Sequence, residues 1–483
     1  MPGKLERGHT MLAEIRGLGE ECGVFGIWGH KDAAQVAYYG LHSLQHRGQE
    51  GSGIVVKNEE GLAQYRGPGL VSEVFTKDVL EGMKGNAAIG HVLYSAADRH
   101  DPANVQPFLF HFTDSSLALC HNGNLVNDKR LRRELEAQGS IFQTSSDSEV
   151  LAHLIKRNPR STLAETLKWA FMRIKGGFAY IILTPDEMIA ALDPNGLRPL
   201  SIGKLGDSYV VASETCAFDV IGADFVRDVQ PGELIVINDR GMKAEPYTHD
   251  TNLAICSLEY IYFARPDSNI AGVNVHTARK NMGKILAKES ALEADVVVAV
   301  PESGVSAAIG FAEAASIPYE MGLIKNRYVA RTFIQPSQEL REQGVKMKLS
   351  AVRSIVEGKR VIVVDDSLVR GTTTTRIVTL LKGAGAKEVH VRVSSPLLKY
   401  PCFYGVDIQT TKELIGFDHS AEEIRDIIGA DSLVFLSEEG LKDAINLPAK
   451  NKNRGLCMAY FSGEYPTQLY DYEKEMRNKL NLN

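Results

Sequence analysis

Long hydrophobic runs are missing from this chain of 483 residues. Its apolar stretches, such as Val296–Val300, have the length of a strand, whereas a helix that spans a bilayer needs about 20 apolar residues. Residues 1–21 carry charged side chains throughout and contain no apolar central region, so they do not resemble a secretory signal. The sequence therefore predicts a cytoplasmic protein without a membrane partner.

The chain also has few cysteines and no large excess of charge of one sign. Six cysteines scattered along the chain do not form a disulfide framework, which fits a reducing compartment. The 54 basic and 60 acidic residues give a net charge of −6, and this balance gives no reason to expect a nucleic-acid partner. The length suggests two or three domains.

The strongest chemical signal is the string VIVVDDSLVRGTTTT at residues 361–375. A β-branched run ends at Asp365 and Asp366, and a loop with Gly371 and several threonines leads into a helical pattern. Backbone N–H groups and Thr hydroxyls at the start of a helix bind phosphate, and acids at the carboxyl end of a strand reach ribose hydroxyls or a divalent cation. Two acids and a glycine alone would favour an ordinary strand–turn–helix connection, but the complete string favours a phosphosugar site.

The complete string resembles the phosphoribosyl pyrophosphate (PRPP) signature of type I phosphoribosyltransferases. The resemblance implies that Asp365 and Asp366 hold the ribose diol and one Mg²⁺ per subunit, with Ser303 as a further metal contact, and that residues 367–374 take the 5-phosphate. The PRPP-binding residues implied in this way are Asp365, Asp366, Ser367, Arg370, Gly371, Thr372, Thr373, Lys325 and Arg331.

The amino-terminal half contains a second set of strings, beginning with Cys22 in ECGVFGI. In isolation, a cysteine that opens an apolar strand is a buried core thiol. The strings LQHRGQEGSGI from residue 44, GHVLY from 90, HNGNL from 121 and SSDSEV from 145 change this reading, because together they resemble the class II glutamine amidotransferases. That resemblance implies an N-terminal-nucleophile hydrolase αββα sandwich, a propeptide of residues 1–21 and Cys22 as the mature amino terminus.

The same resemblance assigns roles to individual residues. Cys22 would be the nucleophile, and the Asn122 side chain with the Gly123 N–H would form the oxyanion hole. The residues expected to hold the backbone groups of glutamine are Arg47, Gly48 and Asp147.

Two positions depart from the amidotransferase pattern. Leu93 stands where the family has an arginine that pairs with the α-carboxylate of glutamine, and Ala96 stands where it has a threonine. Since leucine cannot donate a hydrogen bond, one hypothesis is impaired or altered glutamine use. The alternative is that Arg47 and Asp147 suffice.

Strings in the carboxyl-terminal half extend the resemblance to nearly the whole chain. They are CSLEYIYFARPDS from residue 256, ADVVVAVPESGVSAA from 294 and LIKNRYVARTFIQPSQELREQGVKMKLS from 323. With the earlier strings, they resemble the longer, propeptide-bearing bacterial amidophosphoribosyltransferases. The expected organisation is a propeptide (1–21), an amidotransferase domain (22–253), a type I phosphoribosyltransferase domain with a parallel sheet (254–445) and a C-terminal segment (446–483) that ends in a helix. The resemblance also implies a homotetramer, purine nucleotide feedback inhibitors and glutamine-dependent amination of PRPP.

Relatives of the longer form carry a [4Fe–4S] cluster on four cysteines. This chain supplies Cys256, Cys402 and Cys457, but Tyr460 stands where the fourth cysteine is expected. Because thiolates are the ligands of such clusters, we predict that no stable cluster assembles.

Two other functions compete with the complete enzyme. One is an ammonia-dependent PRPP aminase whose glutaminase half is impaired at Leu93. The other is a non-catalytic regulator that binds PRPP. Such a regulator has no reason to retain Cys22, Asn122 and Gly123, and the sequence has no helix-turn-helix pattern, so an enzyme is the favoured prediction.

Overall fold

The computed structural model describes residues 22–94, 101–113, 115–326, 349–406, 411–473 and 476. These residues form two compact units. The first unit contains the described residues up to 275 together with 401–406 and 446–473, and the second unit contains those of 276–400 and 411–445. The predicted propeptide lies outside the described residues.

Two antiparallel sheets form the centre of the first unit. Their strands are β1 (Gly23–Trp28), β2 (Gly51–Asn58), β3 (Gly61–Pro68), β4 (Ala87–Leu93), β5 (Phe108–His111), β6 (Ser116–Leu125), β7 (Gly176–Leu183), β8 (Met188–Leu192), β9 (Ser201–Leu205), β10 (Ser208–Ala212), β11 (Asp224–Asp228), β12 (Glu233–Asn238) and β13 (Gly241–Pro246). The seven-stranded sheet has the order β11-β9-β10-β1-β4-β2-β3, and the six-stranded sheet has the order β13-β12-β8-β7-β6-β5.

Strand periodicity places three hydrophobic layers in this unit. On β1, Val24 packs between the two sheets with Cys120 of β6, whereas Phe25 faces the other way and packs against the helix Ala33–Ser43. The helices Glu149–Arg157 and Leu163–Arg173 cover the opposite face of the six-stranded sheet. Because side chains alternate across a strand, each sheet is buried on both faces. The predicted αββα sandwich is confirmed.

The remaining helical elements of the first unit are short. They are Val71–Val74, Lys77–Gly82, Asp128–Ala137, Cys216–Ile221, Ala459–Ser462, a π-helical turn at Glu259–Phe263 and 3₁₀ turns at Pro102–Asn104 and Tyr470–Tyr472.

The second unit is an α/β structure around a parallel sheet. Three short strands that belong to the first unit precede it in the chain: β14 (Ile255–Cys256), β15 (Asn269–Ile270) and β16 (Val273–Asn274). The strands of the second unit are β17 (Val296–Ala299), β18 (Leu323–Lys325), β19 (Leu349–Ala351), β20 (Arg360–Asp365), β21 (Glu388–Val393) and β22 (Ser432–Phe435). The parallel order is β17-β20-β21-β22, and β18 pairs with β19. This arrangement confirms the predicted phosphoribosyltransferase type of fold.

Helices cover both faces of the parallel sheet, which explains why residues 361–364 are apolar and fully buried. Val363 packs in the same core cluster as Ile377 and Leu381 of the helix Thr372–Gly383. The other helices are Val275–Glu289, Val305–Ala315, Arg353–Val356, Ile415–Asp418, Ala421–Ile428, Glu438–Ile445 and a 3₁₀ turn at Thr411–Glu413. No helix among the described residues is both long enough and apolar enough to cross a bilayer.

The two units differ from the predicted domain limits in three segments, 254–275, 401–406 and 446–473. The strand β14 pairs in parallel with β23 (Leu456–Cys457), so that Cys256 lies opposite Cys457. This long-range pairing places residues 254–275 and 446–473 in the first unit, and no local pattern in the sequence announces it. Part of the helix predicted for residues 465–483 lies outside the described residues.

Candidate active sites

The acidic loop of the second unit has the geometry that its sequence predicts. The strand β20 ends at Asp365, and the helix Thr372–Gly383 begins six residues after Asp366. Gly371 takes a φ of 76° immediately before this helix, a conformation that favours glycine. The Val369 carbonyl accepts a 2.8 Å hydrogen bond from the Ile415 N–H. The predicted phosphate-binding residues 367–374 therefore lie together at a helix amino terminus.

A second turn meets this loop at the same edge of the sheet. The strands β17 and β20 run in parallel with Ala299 opposite Val364, and the Val300 N–H donates to the Val364 carbonyl at 2.9 Å. A Cβ on Gly304 would lie 2.5 Å from the Val364 carbonyl oxygen, so only glycine fits there. The structure thus brings the turn that contains Ser303 beside Asp365, as the predicted metal site requires.

The two acids are buried side by side. Asp365 and Asp366 are about 6% and 5% exposed, and Ser367 Oγ donates to Asp366 Oδ2 at 2.6 Å. Burial and then the neighbouring charge of Asp366 raise the pKa of Asp365 well above its usual range. A divalent cation would relieve this repulsion. No group of three or more His, Cys, Asp or Glu side chains in the described part of the chain is arranged to hold a metal ion. Mg²⁺, however, typically needs only one or two carboxylates from the protein, together with phosphates of the substrate. The acidic pair therefore fits Mg²⁺.

The structure describes two of the three basic residues predicted to bind PRPP, and these two lie in different surroundings. The Arg370 guanidinium donates to Glu413, a residue of the same unit. Lys325 ends β18 and is exposed. Arg331 lies outside the described residues.

In the first unit, Cys22 lies at the start of β1 beside the end of β4. Its Sγ is 3.5 Å from the carbonyl oxygen of Tyr94, and its own carbonyl oxygen accepts a 3.2 Å hydrogen bond from Arg47 Nε. The thiol is partly exposed, unlike Cys120, whose pKa is raised by burial and further by the nearby Cys22. A partly exposed thiol at the end of a buried strand suits a nucleophile better than a core cysteine does.

Asn122 and Gly123 follow Cys120 on β6. Asn122 is fully buried, and among the described residues neither its Oδ1 nor its Nδ2 has a hydrogen-bond partner. Because buried amides are almost always bonded, this side chain is available to a ligand. Gly123 has a φ of 135°, and a Cβ there would lie 2.1 Å from the Gly177 carbonyl oxygen. Both features fit the predicted oxyanion hole.

Asp147 lies just before the helix Glu149–Arg157 and contacts the end of β6. Its Oδ2 accepts a 2.8 Å hydrogen bond from the Leu125 N–H and lies 3.9 Å from Nδ1 of the buried His121. Gly48 packs directly on the neighbouring strand, since a Cβ at this position would be 2.6 Å from the Leu93 carbonyl carbon. The structure therefore places Gly48 against the end of β4, beside Cys22, and Asp147 against the end of β6, the strand that contains Asn122.

Arg47 has a more complex environment than the sequence predicts. Its guanidinium is 0% exposed and donates to Glu214 at 2.6 Å and to both oxygens of Glu259, at 2.7 and 3.0 Å. Burial alone would raise the pKa of Glu214, but His46 and Arg47 outweigh it and hold that pKa far below its usual range. A glutamine ligand would have to compete with these carboxylates for Arg47.

Sequence reasoning missed Glu214 and Glu259. Both side chains are completely buried, and acids are almost never buried without a partner. Glu259 lies inside the string that begins at residue 256, but nothing in that string distinguishes a buried acid from a surface acid. Only the fold brings both carboxylates to Arg47.

Leu93 ends β4 and is buried at 8% exposure. It directly precedes Tyr94, whose carbonyl oxygen contacts the Cys22 thiol. The position of the missing arginine is thus next to the nucleophile. Ala96 lies outside the described residues.

The three remaining cysteines of the cluster motif do converge in the first unit. The Tyr460 hydroxyl donates to Cys402 Sγ at 3.2 Å and lies 3.5 Å from Cys256 Sγ, while Cys457 lies opposite Cys256 in the strand pair. A [4Fe–4S] cluster takes four thiolate ligands, and burial raises the pKa of Cys457 to about 12. Three thiols with a phenol between two of them do not fit this cluster.

Comparisons with known proteins agree with the two predicted domain types. Residues 95–220 match the glutamine amidotransferase domain family, and residues 274–395 match the phosphoribosyl transferase domain family. The chain is 64% identical to an amidophosphoribosyltransferase of Bacillus subtilis over 95% of this chain and 97% of that one. It is 57% identical to an amidophosphoribosyltransferase of Staphylococcus aureus over 96% of this chain and 94% of that one.

Two solved structures have the same architecture. One is the glutamine PRPP amidotransferase from B. subtilis complexed with ADP and GMP, with 63% identity, coverage of 93% of this chain and 98% of that one, and a TM-score of 0.90. The other, the allosteric regulatory enzyme of purine biosynthesis, is also 63% identical, covers 93% and 97%, and has a TM-score of 0.91. With matches to both domain families on one chain and this identity over nearly its full length, the chain belongs to the amidophosphoribosyltransferase family.

Proposed function

We propose that the protein aminates PRPP with nitrogen taken from glutamine, giving 5-phosphoribosylamine, pyrophosphate and glutamate. This reaction is the first step of de novo purine biosynthesis. The observation that carries the proposal is the combination, on one chain, of the acidic loop after β20 with a partly exposed Cys22 thiol and a buried, unpartnered Asn122 amide in the first unit.

In the glutaminase half-reaction, Cys22 Sγ would attack the side-chain amide carbon of glutamine, the C–N bond would break to release ammonia, and water would hydrolyse the resulting thioester to glutamate and the free thiol. The proton would pass through the α-amine of Cys22, which has a pKa of about 8 once it is free. That role requires removal of residues 1–21. The Asn122 amide and the Gly123 N–H would bind the oxyanion, an interaction worth about 3 kcal/mol of barrier. Asp147 would hold the α-amine of the substrate.

In the transferase half-reaction, ammonia would displace pyrophosphate from C1 of PRPP. Asp365 and Asp366 would bind the ribose diol and Mg²⁺, and the backbone N–H groups and threonine hydroxyls before the helix Thr372–Gly383 would bind the 5-phosphate. Ser303 and the two acids would hold Mg²⁺, which would neutralise charge on the leaving pyrophosphate. Lys325, Arg331 and Arg370 would pair with the phosphate groups, Arg370 after release from Glu413.

Several properties of the relatives extend this proposal. Purine nucleotides are proposed as feedback inhibitors, because a solved relative is a complex with ADP and GMP. A homotetramer, a cytoplasmic location and the domain limits at residues 22, 254 and 446 also remain proposals from the resemblance.

An ammonia-dependent PRPP aminase is a second candidate, and a specific observation favours it. Leu93 offers no donor beside the nucleophile, and Arg47 is already bonded to Glu214 and Glu259. Glutamine would then bind weakly while the transferase half stayed intact.

The deciding experiment measures PRPP-dependent pyrophosphate release by protein that begins at Cys22. Glutamine and ammonium salt are supplied separately, with and without Mg²⁺. Release with both nitrogen sources supports the complete enzyme. Release with ammonium alone supports the second candidate. Absence of release with either source would contradict both and favour a PRPP-binding regulator.

A further inference from the structure

In this chain, a tyrosine stands where the resemblance implies the fourth cysteine of a [4Fe–4S] cluster. Tyr460 lies on the short helix Ala459–Ser462 and is about 1% exposed. Its hydroxyl has one hydrogen, which it donates to Cys402 Sγ at 3.2 Å. The Cys256 thiol, 3.5 Å away, is therefore placed to donate to the phenol oxygen. One hydroxyl thus connects the segments that contain Cys256, Cys402 and Tyr460.

The segment of residues 402–405, which begins at Cys402, lies directly against the proposed oxyanion hole. The Phe403 carbonyl accepts a 3.0 Å hydrogen bond from Asn124 Nδ2. A Cβ on Gly405 would lie 3.2 Å from the Gly123 carbonyl carbon, and Gly405 has a φ of 123°. Gly123 is therefore enclosed by residue 405 on one side and by Gly177 on the other.

The same segment is tied to the carboxylates around Arg47. The Arg198 guanidinium donates to the Tyr404 carbonyl and lies 3.9 Å from Glu259 Oε1. Glu259 in turn binds Arg47, which donates to the Cys22 carbonyl. A shift of residues 402–405 would therefore reach both the oxyanion strand and the nucleophile.

We propose that the Tyr460 phenol takes the place of a cluster ligand and that its hydrogen bonds to Cys256 and Cys402 hold residues 402–405 against Asn124 and Gly123. Tyr460 is then a positioning residue for glutamine hydrolysis. Other contacts share this task, since the Tyr404 hydroxyl bonds to Thr467 Oγ1 at 2.8 Å and the Tyr465 hydroxyl donates to the Pro401 carbonyl at 2.7 Å. The effect of one hydroxyl should accordingly be moderate.

The first test asks whether tyrosine excludes the cluster. Unmodified protein and Tyr460→Cys are incubated anaerobically with ferrous iron, sulfide and a thiol, and iron and acid-labile sulfide are measured after desalting. We expect substoichiometric iron in the unmodified protein and about four iron and four sulfide per chain in Tyr460→Cys. A stoichiometric cluster in the unmodified protein, or none in Tyr460→Cys, would overturn the replacement.

The second test removes only the hydroxyl. Tyr460→Phe should lower the folding equilibrium constant about fivefold and lower kcat with glutamine about fivefold, while KM for glutamine and the ammonia-dependent rate stay unchanged. Tyr247→Phe is the matched control, because Tyr247 is also buried in the first unit and donates to the Leu192 carbonyl at 2.7 Å. It should lose similar stability without changing the ratio of glutamine- to ammonia-dependent rates.

An equal ratio in Tyr460→Phe, Tyr247→Phe and the unmodified protein would overturn the positioning role. The activity arm of this test rests on the proposed glutaminase function. The measurements of iron content and of the folding equilibrium do not rest on that function. If the protein had no glutaminase activity, the proposed function would be contradicted, but these two measurements would still decide whether Tyr460 replaces a cluster ligand.

Discussion

The two proposed sites are assembled in different ways. The PRPP loop uses residues that follow one another, from Asp365 at the end of β20 to Thr372 at the start of the next helix. The surroundings of Cys22 come from distant parts of the chain: Arg47 is 25 positions away, and Glu259 is 212 positions beyond Arg47. The first arrangement depends on local backbone geometry, whereas the second depends on long-range packing of buried charges. Substitutions in the loop should therefore change catalysis, and substitutions around Arg47 should change stability as well.

The sharpest separation of the two sites is expected from Cys22→Ala. Loss of the nucleophile should lower the glutamine-dependent rate by at least about 10³-fold and leave the ammonia-dependent rate unchanged. The measurement is pyrophosphate release with each nitrogen source. An equal loss with ammonia would mean that the Cys22 site is required for the transferase reaction itself.

The reciprocal effect is expected from Asp366→Asn. Removing one charge from the acidic pair should lower the rate about 10²-fold with both nitrogen sources, because ribose and Mg²⁺ binding serve both reactions. Circular dichroism provides the check on folding, since the loop lies at the surface end of the sheet. A loss restricted to glutamine would contradict the assignment of this loop to PRPP.

The buried carboxylates around Arg47 should affect stability. Glu214→Gln leaves Arg47 with one carboxylate fewer and should lower the free energy of unfolding by about 3 kcal/mol at neutral pH. Glu134→Gln is the control, since Glu134 pairs with Arg130 and Arg173 at the surface, where a pair is worth about 0.5 kcal/mol. Urea unfolding of the three proteins measures the difference.

The pH dependence of that difference has a defined sign. His46 and Arg47 hold the pKa of Glu214 below its ordinary value of 4.5 despite burial, so the folded state binds fewer protons than the unfolded state at this group. Its contribution to stability is complete above pH 4.5 and falls as the pH drops toward the folded pKa. The unmodified protein and Glu214→Gln should become more alike below pH 4.5. A constant difference would contradict an ionised Glu214.

The smallest effect is expected from Leu93→Arg. A guanidinium beside the Cys22 pocket should lower KM for glutamine about tenfold and leave the ammonia-dependent rate unchanged. Leu93→Met controls for packing, because it keeps an apolar side chain of similar volume. An unchanged KM in Leu93→Arg would mean that glutamine binding by Arg47 and Asp147 is sufficient.

The difference between the two sites also explains what could be predicted. The αββα sandwich and the parallel sheet were predicted correctly through the resemblance to known families, whereas the strand–loop–helix order around Asp365 and Asp366 was predicted from local features of the sequence. The roles of Cys22, Asn122 and Asp147 were predicted only through the resemblance. The carboxylates on Arg47 and the contact of Gly405 with Gly123 had no local signal.

The sequence by itself determined the chemistry that is available: a thiol at the start of a strand, two acids before a threonine-rich helix, and a tyrosine in place of a fourth cysteine. The tertiary structure decided which charges are buried together and which segments hold the oxyanion strand. The physical reason is that burial and pairing of a charge depend on neighbours distant in sequence, whereas backbone geometry in a strand, turn or helix start is set by adjacent residues.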